Sequence, residues 1–120
     1  MKKLTESEER LMHILWKIKR GFVKDVMEHY EDPKPAYTTI SSIIRILEKK
    51  GFIGHRVYGP TYEYYPRIEK DEYKRRYLRT IVADYFDNSY KQLVSFFASE
   101  KKLKKKDLVE IMKILNEDHE

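Results

Sequence analysis

Gly51 separates two hydrophobic periods, and that switch limits the possible folds more than any other feature of the chain. Before it, Ile40, Ile43, Ile44 and Leu47 recur at i, i+3, i+4 and i+7, which predicts a helix over residues 37–50 with one apolar face. After it, residues 52–58 and 61–65 are rich in β-branched and aromatic side chains. Gly59-Pro60 lies between them as a turn, so this stretch predicts a β-hairpin that Pro66 ends.

Two more helices precede the switch. Thr5 with Glu8 three residues on is a capping box, and Leu11, Ile14, Leu15 and Ile18 form the expected buried stripe. Lys17, Lys19 and Arg20 crowd the last turn, at the negative end of the helix dipole, and Gly21 is the expected stop. Phe22 and Val23 leave room for only a very short extended segment. A second helix over about 24–30 follows, with Val26, Met27 and Tyr30 apolar, until Pro33 and Pro35 break it.

Beyond residue 70 the chain reads as helical again. Tyr73, Tyr77, Leu78, Ile81, Val82, Tyr85 and Phe86 keep a helical period up to Asp87-Asn88-Ser89. Ser89 caps a short helix containing Leu93, Val94, Phe96 and Phe97. A last helix over residues 105–116 carries Leu108, Ile111, Met112 and Leu115 on one side. The fold class is therefore mostly α with a small β-hairpin: a winged helix-turn-helix domain over 1–68, then a helical dimerisation region over 69–120. Three short helices cannot bury that much aromatic and aliphatic surface among themselves, which points to a symmetric homodimer. A fragment ending near Arg67 is expected to fold as a monomer.

Composition removes most other classes. The chain has 120 residues and no cysteine, so disulfides, thiol catalysis and cysteine-built metal sites are excluded. No apolar run is long enough to span a bilayer and none has the shape of a signal peptide, so a cytoplasmic protein without direct membrane binding is expected. The net charge of +5 is spread evenly, with 12 basic and 9 acidic side chains up to Pro66 and 13 and 11 beyond. That excess is too small for a nonspecific nucleoid-type binder. The dense run over 101–106 reads as a solvated loop, with Lys104 standing where a Ser or Thr cap is usual. His13, His29, His55 and His119 are scattered without metal-ligand spacing, and no phosphate-binding loop, nucleophile elbow or paired-carboxylate site is visible. No enzyme, metal or cofactor is expected.

The chemistry lies on the outer face of the helix over 37–50. At about 100° per residue, Thr38, Ser42, Arg45 and Lys49 lie opposite the apolar stripe, with no acid among them. Helix N-terminal N–H groups and threonine hydroxyls hold phosphates, while Ser42 and Arg45 reach base edges and Lys49 meets phosphate. His55, on the hairpin, is a further candidate for phosphate contact. Tyr62, Tyr64 and Tyr65 are expected to pack the hairpin onto the helices, with Tyr37 and Trp16 at the edge of the core. A winged helix serving as a protein-interaction module would carry acidic or apolar groups on that outer face, which these residues are not.

These residues resemble the penicillinase repressor (BlaI/MecI) family of bacterial transcription regulators over almost the whole chain. The likeness begins at Leu4-Thr5 with Glu8, Met12, Leu15 and Trp16, is densest at Ala36-Tyr37-Thr38-Thr39-Ile40 and Leu47-Glu48-Lys49-Lys50-Gly51, and continues at Tyr64, Pro66 and Glu72-Tyr73. The resemblance implies a homodimeric repressor of double-stranded DNA with an inverted-repeat operator. It implies DNA contact by Thr38, Thr39, Ser42, Arg45 and Lys49, to which Tyr37 at the helix start and Arg56 on the hairpin are added as candidates. A membrane sensor protease is an implied partner. The Asn-Phe bond at which such a protease cuts corresponds here to Phe96-Phe97, without the Asn, and the wing tip, basic in such proteins, carries Pro60. Copper-responsive relatives bear C-terminal cysteines, which this chain lacks.

Overall fold

A computed structural model describes residues 3–100 and 104–117. The elements run α1 (Glu6–Ile18), α2 (Val23–Glu28), α3 (Tyr37–Lys49), β1 (Ile53–Tyr58), β2 (Thr61–Pro66), α4 (Lys70–Tyr85), α5 (Tyr90–Ser99) and α6 (Lys105–Glu117). They form two compact units, one ending at Tyr73 and one beginning at Lys74, so the division falls inside α4.

In the first unit, α1 starts at the expected capping box. The Glu8 N–H donates to Thr5 Oγ1 at 3.2 Å, and the Thr5 N–H donates to Glu8 Oε1 at 2.9 Å. The buried arc differs from the expected stripe: Leu11, Met12 and Leu15 are buried with Glu8, whereas Ile14 and Ile18 are only half-buried at its flank. An ion pair lies on this arc. Glu8, 5% exposed, receives Lys50 Nζ on both carboxylate oxygens at 2.8 and 3.0 Å, tying the start of α1 to the end of α3.

That pair yields a stability prediction. Glu8→Ala strands Lys50 and opens the capping box, and should cost roughly 2–4 kcal/mol in chemical denaturation. Burial raises the Glu8 pKa, but the hydrogen bonds and charge of Lys50 and the bonds to Thr5 outweigh it, so the carboxyl titrates below the usual 4.5. This contribution is complete above the unfolded-state value and is lost as pH falls through the lower folded one. Acidification below about pH 4.5 should therefore destabilise the wild type more steeply than Glu8→Gln.

Helix α1 stops before Gly21, which was the expected terminator. Lys19 ends it with φ +74°, its N–H bonded to Leu15 O at 2.7 Å. Gly21 instead forms a β-bridge: its N–H donates to Tyr64 O at 2.9 Å, and its carbonyl accepts the Tyr64 N–H at 2.8 Å. A Cβ at Gly21 would sit 3.0 Å from both Asp25 Cβ and Ile18 Cδ1, so a larger residue there would have to displace these side chains of α2 and α1 by a few tenths of an ångström. The short extended segment is thus at Gly21, while Phe22 caps α2 by donating its N–H to Asp25 Oδ2 at 2.9 Å.

Helix α3 follows the expected pattern, with Ile40, Ile44 and Leu47 buried and Ile43 half-buried. Its end is a Schellman motif. The Phe52 N–H bonds Leu47 O at 2.9 Å, the Gly51 N–H bonds Glu48 O at 3.0 Å, and Gly51 takes φ +86°. Phe52 and Leu47 are both buried, as that motif favours. The chain then turns directly into an antiparallel hairpin whose register runs from Ile53 opposite Pro66 to Tyr58 opposite Thr61.

The first unit continues past the hairpin. Trp16 Nε1–H donates to Ile68 O at 2.8 Å. Tyr73 is buried against Trp16 and Phe52, ring centroids 5.5 and 6.0 Å away, with its hydroxyl donating to Glu9 Oε2 at 3.1 Å.

In the second unit, Asp87 and Asn88 both take positive φ in the turn after α4, a conformation their short polar side chains tolerate. Ser89 then caps α5 as expected, accepting the Gln92 N–H at 3.1 Å. Val82 and Leu93 are buried, but Tyr77, Tyr85 (78%), Phe96, Phe97, Val109 and Ile114 are exposed. Of the stripe expected on α6, Ile111 and Met112 are half-buried, while the side chains of Leu108 and Leu115 lie outside the described ones. Asp107 accepts the Lys104 N–H at 3.4 Å, the half of a capping box made by the acid in the first turn, while Lys104 itself has no hydroxyl to cap that turn. Lys105 and Lys106 open α6 and are exposed, whereas Lys101 and Lys102 lie outside the described residues.

Candidate nucleic-acid interface

The three-helix core fixes which side of α3 faces outward. Because Ile40, Ile44 and Leu47 point inward, Thr38, Thr39, Ser42, Arg45 and Lys49 are all exposed. Ala36 supplies no side-chain cap, and the first turn of α3 holds no acid. Its first N–H groups, at the positive end of the helix dipole, thus remain available to an anion. Among the described residues Arg45 and Lys49 form no ion pair. The Ser42 hydroxyl donates to Thr38 O at 2.9 Å, which leaves its lone pairs free to accept a hydrogen bond from outside.

Beside this face, α3, the start of α2 and the hairpin tip enclose a groove of about 580 Å³, lined among others by Phe22, Lys24, Tyr37, Ser41, Pro60 and Tyr62. Tyr37 was expected at the core edge; it is 56% exposed and lines this groove, because it precedes Ile40, the first α3 residue to reach the core. Of the three tyrosines on β2, only Tyr64 is half-buried, and Tyr62 and Tyr65 are exposed. Tyr65 lies across Gly54, where an added Cβ would meet its ring at 2.7 Å. The Tyr64 hydroxyl is pushed above the usual phenol range by burial, with the nearby Glu48 carboxylate adding to the effect.

Strand parity separates the two hairpin candidates. His55 Nδ1 is hydrogen-bonded to Glu48 Oε2 on α3, so His55 faces the helix and its contact is an acid, not an open surface. Arg56, one residue on, points to the opposite face. There it lines a cleft of about 890 Å³ with Trp16, Lys19, Arg20, Glu63 and Tyr65. The structure thus exposes Thr38, Ser42, Arg45 and Lys49 on the outer face of α3, with Thr39 exposed on one flank and Tyr37 on the other, toward the groove, and places Arg56 on the far face of the hairpin. The Glu48–His55 link had no local sequence signal, since the two residues meet only across the Gly51 turn. Among the described residues, no group of three His, Asp or Glu is positioned to hold a metal ion. No described helix is long and apolar enough to cross a membrane.

A third helix whose outer face carries no acid, beside a two-stranded wing, is the winged helix-turn-helix architecture of DNA-binding transcription regulators. Within that class the chain belongs to the penicillinase repressor family, whose model matches residues 4–117, and like its relatives it is a DNA-binding transcriptional repressor. It is similar to the methicillin resistance regulatory protein MecI of Staphylococcus aureus (strain N315) and of Staphylococcus epidermidis, each 25% identical over 114 residues, covering 94% of this chain and 93% of the relative. The MecI protein of Mammaliicoccus sciuri is 24% identical over the same span.

Proposed function

We propose that the protein represses transcription in the cytoplasm as a homodimer bound to an inverted-repeat operator, with α3 of each protomer in the major groove of one half-site. The observation that carries this reading is the outer face of α3, where threonines, a serine and two unpaired cations stand without an acid beside an uncapped helix start. Pairing through the second unit is supported by Tyr85, Phe96, Phe97, Val109 and Ile114, an apolar set too large to leave in water on one chain. The DNA-binding part would comprise residues 1–68 and the dimerisation part 69–120, with the first turn of α4 lending Tyr73 to the former. Arg56 would meet the phosphates beyond the wing. Control by a membrane sensor protease would have to act at Phe96-Phe97, inside α5, where the Glu100 N–H is bonded to Phe96 O.

Two substitutions on α3 test the reading. Arg45→Ala should cost roughly 1–3 kcal/mol of operator affinity and relax discrimination at one base position. Lys49→Ala should weaken all duplexes alike and reduce the salt slope by about one unit per half-site. Fluorescence anisotropy over a salt series reads both, and full operator affinity in both variants would contradict the assignment of α3.

A further inference from the structure

The last turn of α3 holds one acid. On the helical wheel Glu48 lies about 60° from Arg45, on the side that faces the hairpin. A free carboxylate there would stand within reach of the phosphates that Arg45 and Lys49 are placed to meet, and would repel them. It is not free. His55 donates to it from β1, and Nδ1 must carry the hydrogen, because an ionised carboxylate only accepts. The imidazole is itself fixed. It stacks on Tyr62 with ring centroids 4.3 Å apart and planes 18° apart, and it meets Tyr64 edge-on at 6.1 Å. Both members of the pair are about a third exposed, so the link lies at the rim of the candidate interface.

We propose that His55 is a positioning residue for DNA binding: it holds the Glu48 carboxylate against the wing, away from the phosphate path. This rests on the reading of α3 as the DNA-contacting helix. His55 need not touch DNA itself; its effect passes through Glu48.

A double-mutant cycle tests it on the full-length protein, using the operator duplex recovered by selection from a random pool. His55→Phe keeps a ring on Tyr62 but removes the donor, and should weaken binding roughly three- to thirtyfold for a dimer with two such links. It should also lower the salt slope, because a released carboxylate opposes the cations. His55→Asn, whose amide N–H falls near the place of Nδ1, should restore most of the loss. Glu48→Gln alone should bind at least as tightly as wild type, and adding His55→Phe to it should change little. Should His55→Phe fold poorly, the Glu48→Gln and His55→Asn arms still decide. The proposal is overturned if His55→Phe binds like wild type, if its loss is as large beside Gln at position 48, or if Glu48→Gln alone weakens binding tenfold. Those failures, with wild-type binding intact, remove the role of His55 and leave the DNA reading standing; a wild type that binds no duplex removes both.

Discussion

Inserting half a helical turn between the two halves of the operator should weaken binding by about two to four orders of magnitude. Two identical wings related by a twofold axis meet their half-sites in the same orientation to that axis, so the operator must be an inverted repeat. In the proposed homodimer, the pairing of the second units would set the distance between the two α3 helices. Roughly five extra base pairs turn one half-site to the opposite face of the duplex, since a full turn takes about 10–10.5. One protomer then binds alone, and the gain from linking two sites is lost. A full-turn insertion restores the face and tests only how far the dimer can stretch. Gel-shift titration of the two spacings reads the difference. Equal affinity for the native and half-turn operators would mean that one protomer does all the reading.

The second large effect concerns folding. Ending the chain at Arg67 should unfold the first unit instead of releasing it, contrary to what the hairpin boundary at Pro66 suggests. The cut removes Ile68, whose carbonyl accepts the Trp16 indole N–H, and Tyr73, which fills the space against Trp16 and Phe52. Tyr73→Ala alone should cost about 3–5 kcal/mol. Domains of this size hold about 5–15 kcal/mol in all, so losing the tyrosine and the indole's partner together leaves little. A fragment ending at Tyr77 keeps both groups and should melt cooperatively. Thermal melts followed by circular dichroism compare the two. A fragment ending at Arg67 that melts as high as one ending at Tyr77 would show that Tyr73 is dispensable.

The parts of the fold visible in the sequence are those fixed by local physics. The helical stripe from Ile40 to Leu47, the Gly51 reversal and the β-rich stretch after it each depend on a few neighbouring residues, and all three stand in the structure. The outer face of α3 was legible for the same reason, since helical geometry alone puts Arg45 and Lys49 opposite Ile40 and Leu47. What was hidden depends on partners far along the chain. Gly21 looks like a helix stop, but its role is set by Tyr64, more than forty residues away. Glu8 is buried on the same arc of α1 as Met12, where it meets Lys50, 42 residues along the chain. On the hairpin, whether His55 or Arg56 faces α3 is a matter of parity, and alternation alone does not say which face is which. Tyr37 was misplaced because an aromatic at a helix start looks the same in sequence whether it folds inward or lines a groove.

The decisive measurement is selection of bound duplexes from a random pool by the full-length protein, with the bound mass determined on the winning sequence. The expected result is an inverted repeat carrying two protomers, with an Arg45→Ala selection that loses preference at one symmetric pair of positions. Enrichment of no sequence, or of a site without twofold symmetry that holds one protomer, would contradict the paired reading of DNA by α3.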